Sequence, residues 1–206
     1  MKLIWLRHGE TQSNRQGAYL GHTDEPLSDA GIAQAERLAR RLEETGDVPA
    51  AIYTSDLKRC AQTAEIVARR WGIKPQTVPA LRELSFGGWE GLTYEELMRL
   101  EPERAARWYD DPFTHSPPNG ESLRELGQRV DGWLGSLLDE AASFGEQPVV
   151  LVTHGGVIRW FQAAWMERDP NRYWQQEGLA HGEALVAVWN GKRWRQEPLR
   201  KGWEEG

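Results

Sequence analysis

The sequence predicts an α/β fold of three layers, α/β/α, with a mostly parallel central sheet and a helical lid insertion. Three observations carry that expectation. Residues 3–6 and 148–153 are apolar runs too short for a helix and too continuous for a strand with one wet face, as strands buried on both sides should be. Strand-like runs then alternate with stretches of helical periodicity, the order that yields parallel strands joined by crossover helices. Both buried runs stop abruptly in polar residues, at Arg7-His8-Gly9 and at His154-Gly155-Gly156. Open α/β sheets bind ligands outside the carboxyl ends of their strands.

The elements follow in order. The first strand, 3–6, gives way at Gly9, which allows a sharp turn. A polar loop over 12–26 comes next. Ser28 is placed to N-cap a helix over 29–44. Its apolar stripe is Ile32, Ala35, Leu38, Ala39 and Leu42, and Gly46 and Pro49 end it. Residues 51–54 read as a second strand, 57–71 as a helix closed by Gly72, and 75–78 as a third short strand. Residues 84–120 differ in kind. Gly87, Gly88, Gly91, Pro102, Pro112, Pro117 and Pro118 divide them into short helical patterns, one opened by the capping-box pair Thr93 and Glu96. This stretch is expected to lie over the strand ends as a lid. Ser122 and Glu125 form another capping box and open a helix to about 143. The central strand 148–153 leads into a helix to 166. Residues 183–189 alternate as a last strand, and Asn190-Gly191 is a hairpin signal leading to Trp194. The tail, 201–206, is expected to fray. Without internal repeats, the chain reads as a single domain over 1–206 with the insertion at about 84–120.

Composition limits the function classes. The 206 residues carry a formal net charge of −6, which argues against a general nucleic-acid binder. No apolar run approaches the roughly 18 residues that span a membrane. The chain enters a strand at once with no signal-peptide layout. A lone cysteine, Cys60, excludes an internal disulfide and suits a reducing cytoplasm. No zinc-type His-Glu-x-x-His, Walker loop or dinucleotide glycine fingerprint is present.

Two histidines, His8 and His154, terminate two buried strands and can face each other across the sheet. Arg59 falls in the first turn of a helix that directly follows a strand. A cation is disfavoured there by the helix dipole, and a bound phosphate would account for it. Glu83 lies among Leu84, Phe86 and Trp89, and apolar neighbours favour the proton-bearing form of a carboxyl group. Cys60 reads as a packing residue, and His115 and His181 read as surface residues.

Arg7-His8-Gly9-Glu10-Thr11, the segment from Ser55 to Ala64 around Arg59, the segment from Leu81 to Gly91 around Glu83, and His154-Gly155 together resemble the four motifs of the histidine phosphatase superfamily, the phosphoglycerate-mutase-like proteins. Length and motif spacing look most like its α-ribazole phosphatase and broad-specificity phosphatase group. The resemblance implies a phosphoric monoester hydrolase that needs no metal and no cofactor. His8 would be phosphorylated in turnover, Glu83 would pass the proton, and Arg7, Arg59 and His154 would complete the catalytic set. Asn14 matches a phosphate-contacting asparagine. The Gly155 backbone, Thr11 and Ser13 are further phosphate-binding candidates, and His22 is a rim contact. The partner implied is a small phosphomonoester; a homodimer is possible.

Two rivals remain. The same groups can run a phosphoglycerate mutase, but the lid holds Arg99, Arg104 and Arg107 against Glu90, Glu95, Glu96, Glu101, Glu103, Asp110 and Asp111, a poor cage for a bisphosphate. An inactive phosphate-binding module would be expected only if one of the motif residues were missing. Trp89, Tyr94 and Trp108 offer aromatic surface either to a leaving group or to the core of the lid.

Overall fold

The apolar run at the start of the chain forms β1 (Lys2–Arg7), and the run at 148–153 forms β4 (Val149–Thr153). A computed structural model describes residues 1–199; the expectation for the tail, 201–206, lies outside the described residues. With β2 (Ala51–Thr54), β3 (Gln76–Thr77), β5 (Ala184–Trp189) and β6 (Trp194–Glu197), the strands make one sheet in the order β3-β2-β4-β1-β5-β6. β1, β2, β3 and β4 pair parallel, whereas β5 and β6 add antiparallel at one edge. In the β1–β4 register Leu3 lies opposite Val149 and Arg7 opposite Thr153, so His8 and His154 leave the sheet at the same level.

Side chains alternate across the sheet, and each set meets its own helices. Ile4, Leu6, Ile52, Val150 and Val152 pack with Leu38, Leu42, Ala64 and Val67 of α2 (Asp29–Glu43) and α3 (Lys58–Ala68). Leu3, Trp5, Val149 and Leu151 pack on the other side with Leu126, Val130, Val157 and Phe161. Those residues belong to α6 (Leu123–Asp139), to α7 (Gly155–Trp160) and to the π-helical turn Phe161–Met166 that continues it. This is the three-layer α/β arrangement.

Several expectations need adjusting. The polar loop after β1 contains α1 (Gln12–Arg15), capped by Thr11, which accepts from the Asn14 N–H while the Asn14 side chain accepts from Thr11. The reciprocal partner is an asparagine, not the glutamate or glutamine that usually marks this box. Gly9 does not adopt a left-handed conformation. What it permits is contact: a Cβ at Gly9 would lie 2.3 Å from the Gly31 carbonyl oxygen in the first turn of α2. Ile32 is 39% exposed, outside the stripe assigned to it. α3 stops at Ala68, three residues early; β3 is two residues long; and α6 ends at Asp139, followed by a short 3-10 turn.

Residues 84–120 carry a 3-10 turn at Gly87–Trp89, α4 (Tyr94–Leu100) and α5 (Pro102–Asp110). Trp89, Leu97, Ala105 and Trp108 are buried in the core cluster of the α6 face. The segment is fastened to the loop before it by the Ala18–Thr93 bridge, by Tyr19 N–H to the Leu92 carbonyl at 2.9 Å, and by a hydrogen bond between the Tyr19 and Tyr109 hydroxyls. Among the described residues, no helix is long and apolar enough to cross a membrane.

The helix layer behind the sheet has no slack at Gly127. A Cβ there would sit 2.2 Å from the Trp160 ring, and that indole is anchored by its Nε1–H to Asp131 Oδ1 at 2.7 Å. Gly127→Ala should therefore destabilise the fold by about 1–3 kcal/mol, the cost of overpacking. A urea titration giving an unchanged midpoint would refute this.

Candidate active site

The site lies where β1 and β4 end. The His8 backbone N–H continues the parallel ladder to the Thr153 carbonyl at 3.0 Å. The imidazole Nδ1 is 2.7 Å from the Gly9 carbonyl oxygen. A carbonyl oxygen only accepts, so Nδ1 carries the hydrogen and Nε2 keeps a free lone pair. The ring is enclosed by two others, with His154 and His181 each at a centroid distance of 5.0 Å. Burial, then the Arg59 charge and His181, hold His8 well below the ordinary imidazole range. His154 is fully buried and is lowered by the same burial and by Arg59. Its Nε2 lies 3.0 Å from Ser55 Oγ and 3.3 Å from Cys60 Sγ. Burial pushes the Cys60 thiol up, as suits an inert packing residue.

Arg7 donates Nη1–H to the Leu179 carbonyl at 2.6 Å, and its Nη2 meets His181 Nε2 at 3.0 Å. Arg59, fully buried, donates to the carbonyls of Leu20 (3.1 Å), Gly21 (2.7 Å) and Thr23 (2.8 Å). In this structure loop carbonyls therefore satisfy the terminal nitrogens of the arginine in the first turn of α3, and the Nε atoms of Arg7 and Arg59 are buried without a partner. Glu83 faces these cations. Its Oε2 accepts from the Gly156 N–H at 3.0 Å and its Oε1 from the Leu84 N–H at 2.9 Å. Gly156 makes room for it, since a Cβ there would lie 2.2 Å from Glu83 Oε1.

Further hydrogen bonds fix the Glu83 backbone. Arg129 on α6 donates to the carbonyls of Ala80, Arg82 and Glu83 at 2.7–2.8 Å and pairs with Glu121. His22 Nε2 reaches the same Glu83 carbonyl at 3.0 Å.

Arg7, His8, Asn14, Glu83 and Gly155 share the wall of one cavity of about 350 Å³. Arg59 and His154 sit directly behind it. Three expected contacts do not line it: Thr11 is occupied as the cap of α1, the Ser13 N–H binds Glu25, and His22 supports the Glu83 main chain. His181 corrects the surface assignment made from sequence, being partly buried between Arg7 and His8 and lowered, chiefly by burial, to about 4. Arg159, Tyr173 and Trp174 also line the cavity, beside Tyr19, Phe86, Trp108 and Tyr109. Of the aromatic candidates, Trp89 is core and Tyr94 is half exposed outside the cavity, while Trp108 takes part in both wall and core. A larger cavity of about 500 Å³, near Met1, Trp165, Trp189 and Trp194, is mostly apolar, with Arg168 the one charged side chain lining it among the described residues. The smaller cavity has the groups to accept an anion, attack it with a neutral imidazole and pass a proton through a carboxyl group.

A model of the histidine phosphatase superfamily (branch 1) matches residues 3–200, and the chain belongs to that superfamily. An adenosylcobalamin/alpha-ribazole phosphatase of Escherichia coli (strain K12) is 35% identical over 202 residues, 93% of this chain and 97% of the relative. The phosphoglycerate mutase-like protein 4 of Arabidopsis thaliana is 39% identical over 161 residues, 77% of this chain and 68% of the relative. The crystal structure of the alpha-ribazole phosphatase from Shigella flexneri matches with a TM-score of 0.85 at 29% identity, covering 96% of this chain and 95% of the other. Relatives with phosphatase names support a phosphatase.

Three histidines with lowered values make stability depend on pH. Their folded values lie below the unfolded value of about 6.5, so in that window the unfolded chain binds more protons and stability rises with pH. The urea midpoint should fall between pH 7.5 and 5.5, above the range where most carboxylates titrate, and His181→Asn should flatten the slope. A midpoint independent of pH over that interval would contradict the burial described.

Proposed function

We propose that the protein hydrolyses the phosphomonoesters of small metabolites through a phosphohistidine at His8, with no metal ion or cofactor required. The observation that carries this reading is the His8 tautomer: Nδ1–H is tied to Gly9, so a neutral Nε2 is available in a cationic cavity. Nε2 attacks phosphorus as the ester P–O bond breaks, and Glu83 gives its proton to the departing alkoxide. Water then attacks phosphohistidine, Glu83 takes the water proton, and phosphate leaves with His8 neutral again. Arg7, the Asn14 amide and the Gly155 N–H meet the equatorial oxygens from the cavity wall, and Arg59 and His154, buried behind it, join them by exchanging their present partners for the phosphoryl group. Two arginines and a histidine do the work of a Lewis acid. Thr11 and Ser13 shape the loop that carries Asn14, and His22 steadies Glu83.

The substrate range includes α-ribazole 5′-phosphate or a broader set of esters, in keeping with the names of the relatives. Hydrolase is favoured over mutase because Arg99, Arg104 and Arg107 lie off the cavity wall, and α5 contributes Trp108 and Tyr109 there instead. We place the protein in the cytoplasm and treat residues 84–120 as a lid on a single domain. A homodimer is open to test by sedimentation.

His8→Ala should abolish release of phosphate from p-nitrophenyl phosphate in metal-free buffer, and the acid-labile adduct formed from labelled substrate should disappear with it. Tight phosphate binding without turnover in the unaltered protein would favour the inactive module. Glu83→Gln should cost about 10²–10⁴-fold on alkyl phosphates. It should cost much less on p-nitrophenyl phosphate, whose leaving group needs little help from a proton. Equal losses on both would remove Glu83 from the proton-transfer role.

A further inference from the structure

Arg159 is a cation that the mechanism above does not use. It stands in the last turn of α7 and lines the cavity, near enough to Arg7 for the two charges to repel. Among the described residues no carboxylate pairs with it and no acceptor meets its nitrogens, and its Nε is buried without a partner. Arg7 has committed its terminal nitrogens to Leu179 and His181, and Arg59 has committed its own to loop carbonyls. Arg159 has its whole donor fork free. Gly178 backs it closely, since a Cβ there would lie 2.7 Å from Arg159 Nη2. The guanidinium is thus confined on one side while its terminal nitrogens keep access to the cavity.

We infer that Arg159 is a specificity-determining residue that receives a carboxylate carried by the alcohol half of the substrate. A lone planar fork matches the two oxygens of a carboxylate. A second phosphoryl dianion would call for more than one free cation, and of the arginines on this wall among the described residues Arg159 is the one whose donors are uncommitted. The cavity, about 350 Å³, is larger than a phosphoryl group needs, and Tyr19, Phe86, Trp108 and Trp174 give apolar surface to a short carbon skeleton between the two anions. This inference rests on the phosphate reading of the pocket and, within the broader set of esters, favours those that carry a carboxylate over α-ribazole 5′-phosphate, which has none.

Matched pairs of ligands test it without turnover. In a His8→Ala background, titration calorimetry would compare carboxymethyl, carboxyethyl and carboxypropyl phosphate with ethyl, propyl and butyl phosphate. The best-fitting carboxylate should bind at least about tenfold more tightly than its alkyl partner, the scale of one charge-assisted bond. Arg159→Gln should erase that preference and leave the alkyl phosphates within about twofold of their original affinity, and Arg159→Lys should keep part of it. Equal weakening of both members by Arg159→Gln would assign Arg159 to the phosphoryl group and overturn the inference. So would alkyl phosphates that bind as well as carboxylates in the parent. Binding of no ligand in any pair would overturn the phosphate reading and this inference with it.

Discussion

The parallel ladder between β1 and β4 is the constraint from which the site follows. Because Leu3 meets Val149 and Arg7 meets Thr153, both strands end at one level, and both are followed by a histidine. A slip of one residue would turn every side chain of a strand to the opposite face. It would set the wrong residues against α2 and α6 and part the two imidazoles. The apolar cores on both faces therefore fix the register, and the register fixes the distance between His8 and His154. The site is held to tolerance by residues that never touch it.

A second constraint is electrical. Arg7 and Arg159 line the cavity with His8 and Glu83, Arg59 lies behind it near His8 and His154, and no ion pair joins any of these arginines among the described residues. Burial first, and then these cations, keep the imidazoles neutral, and a neutral imidazole is what a nucleophile must be. Backbone carbonyls of the loop 20–23 and of Leu179 take up the arginine donors without cancelling their charge. The field is left for an anion from outside.

What was legible in the sequence were groups joined directly to regular elements. His8 and His154 follow strands, Arg59 opens a helix after a strand, and Ser28, Thr93 and Ser122 cap helices as their spacing predicts. Asn14 rests on family resemblance alone and Glu83 on that and its apolar neighbours, since neither lies in a periodic run. His181, which packs on Arg7 and His8, and Tyr173 and Trp174, which line the cavity, were missed because they come from 167–182, a stretch of 3-10 turn and loop whose route over the site leaves no periodic signal. Arg159 was hidden differently. It sits on a predicted helix, but in a short apolar stretch where nothing in the spacing says that a charged side chain turns inward. Thr11, Ser13 and His22 lie off the cavity wall for a common reason: each is tied within its own loop or against the Glu83 segment, the Thr11 hydroxyl as the cap of α1, the Ser13 N–H to Glu25 and the His22 ring to the Glu83 carbonyl.

The sealed position of Cys60 has one more consequence. The thiol is wholly enclosed, held in its protonated form, and is the chain's one sulfhydryl group. Alkylating reagents act on the thiolate, so the folded molecule offers them nothing. Modification must await an opening that separates α3 from the end of β4. The rate of labelling is then a built-in clock for that opening, readable by mass without any engineered probe.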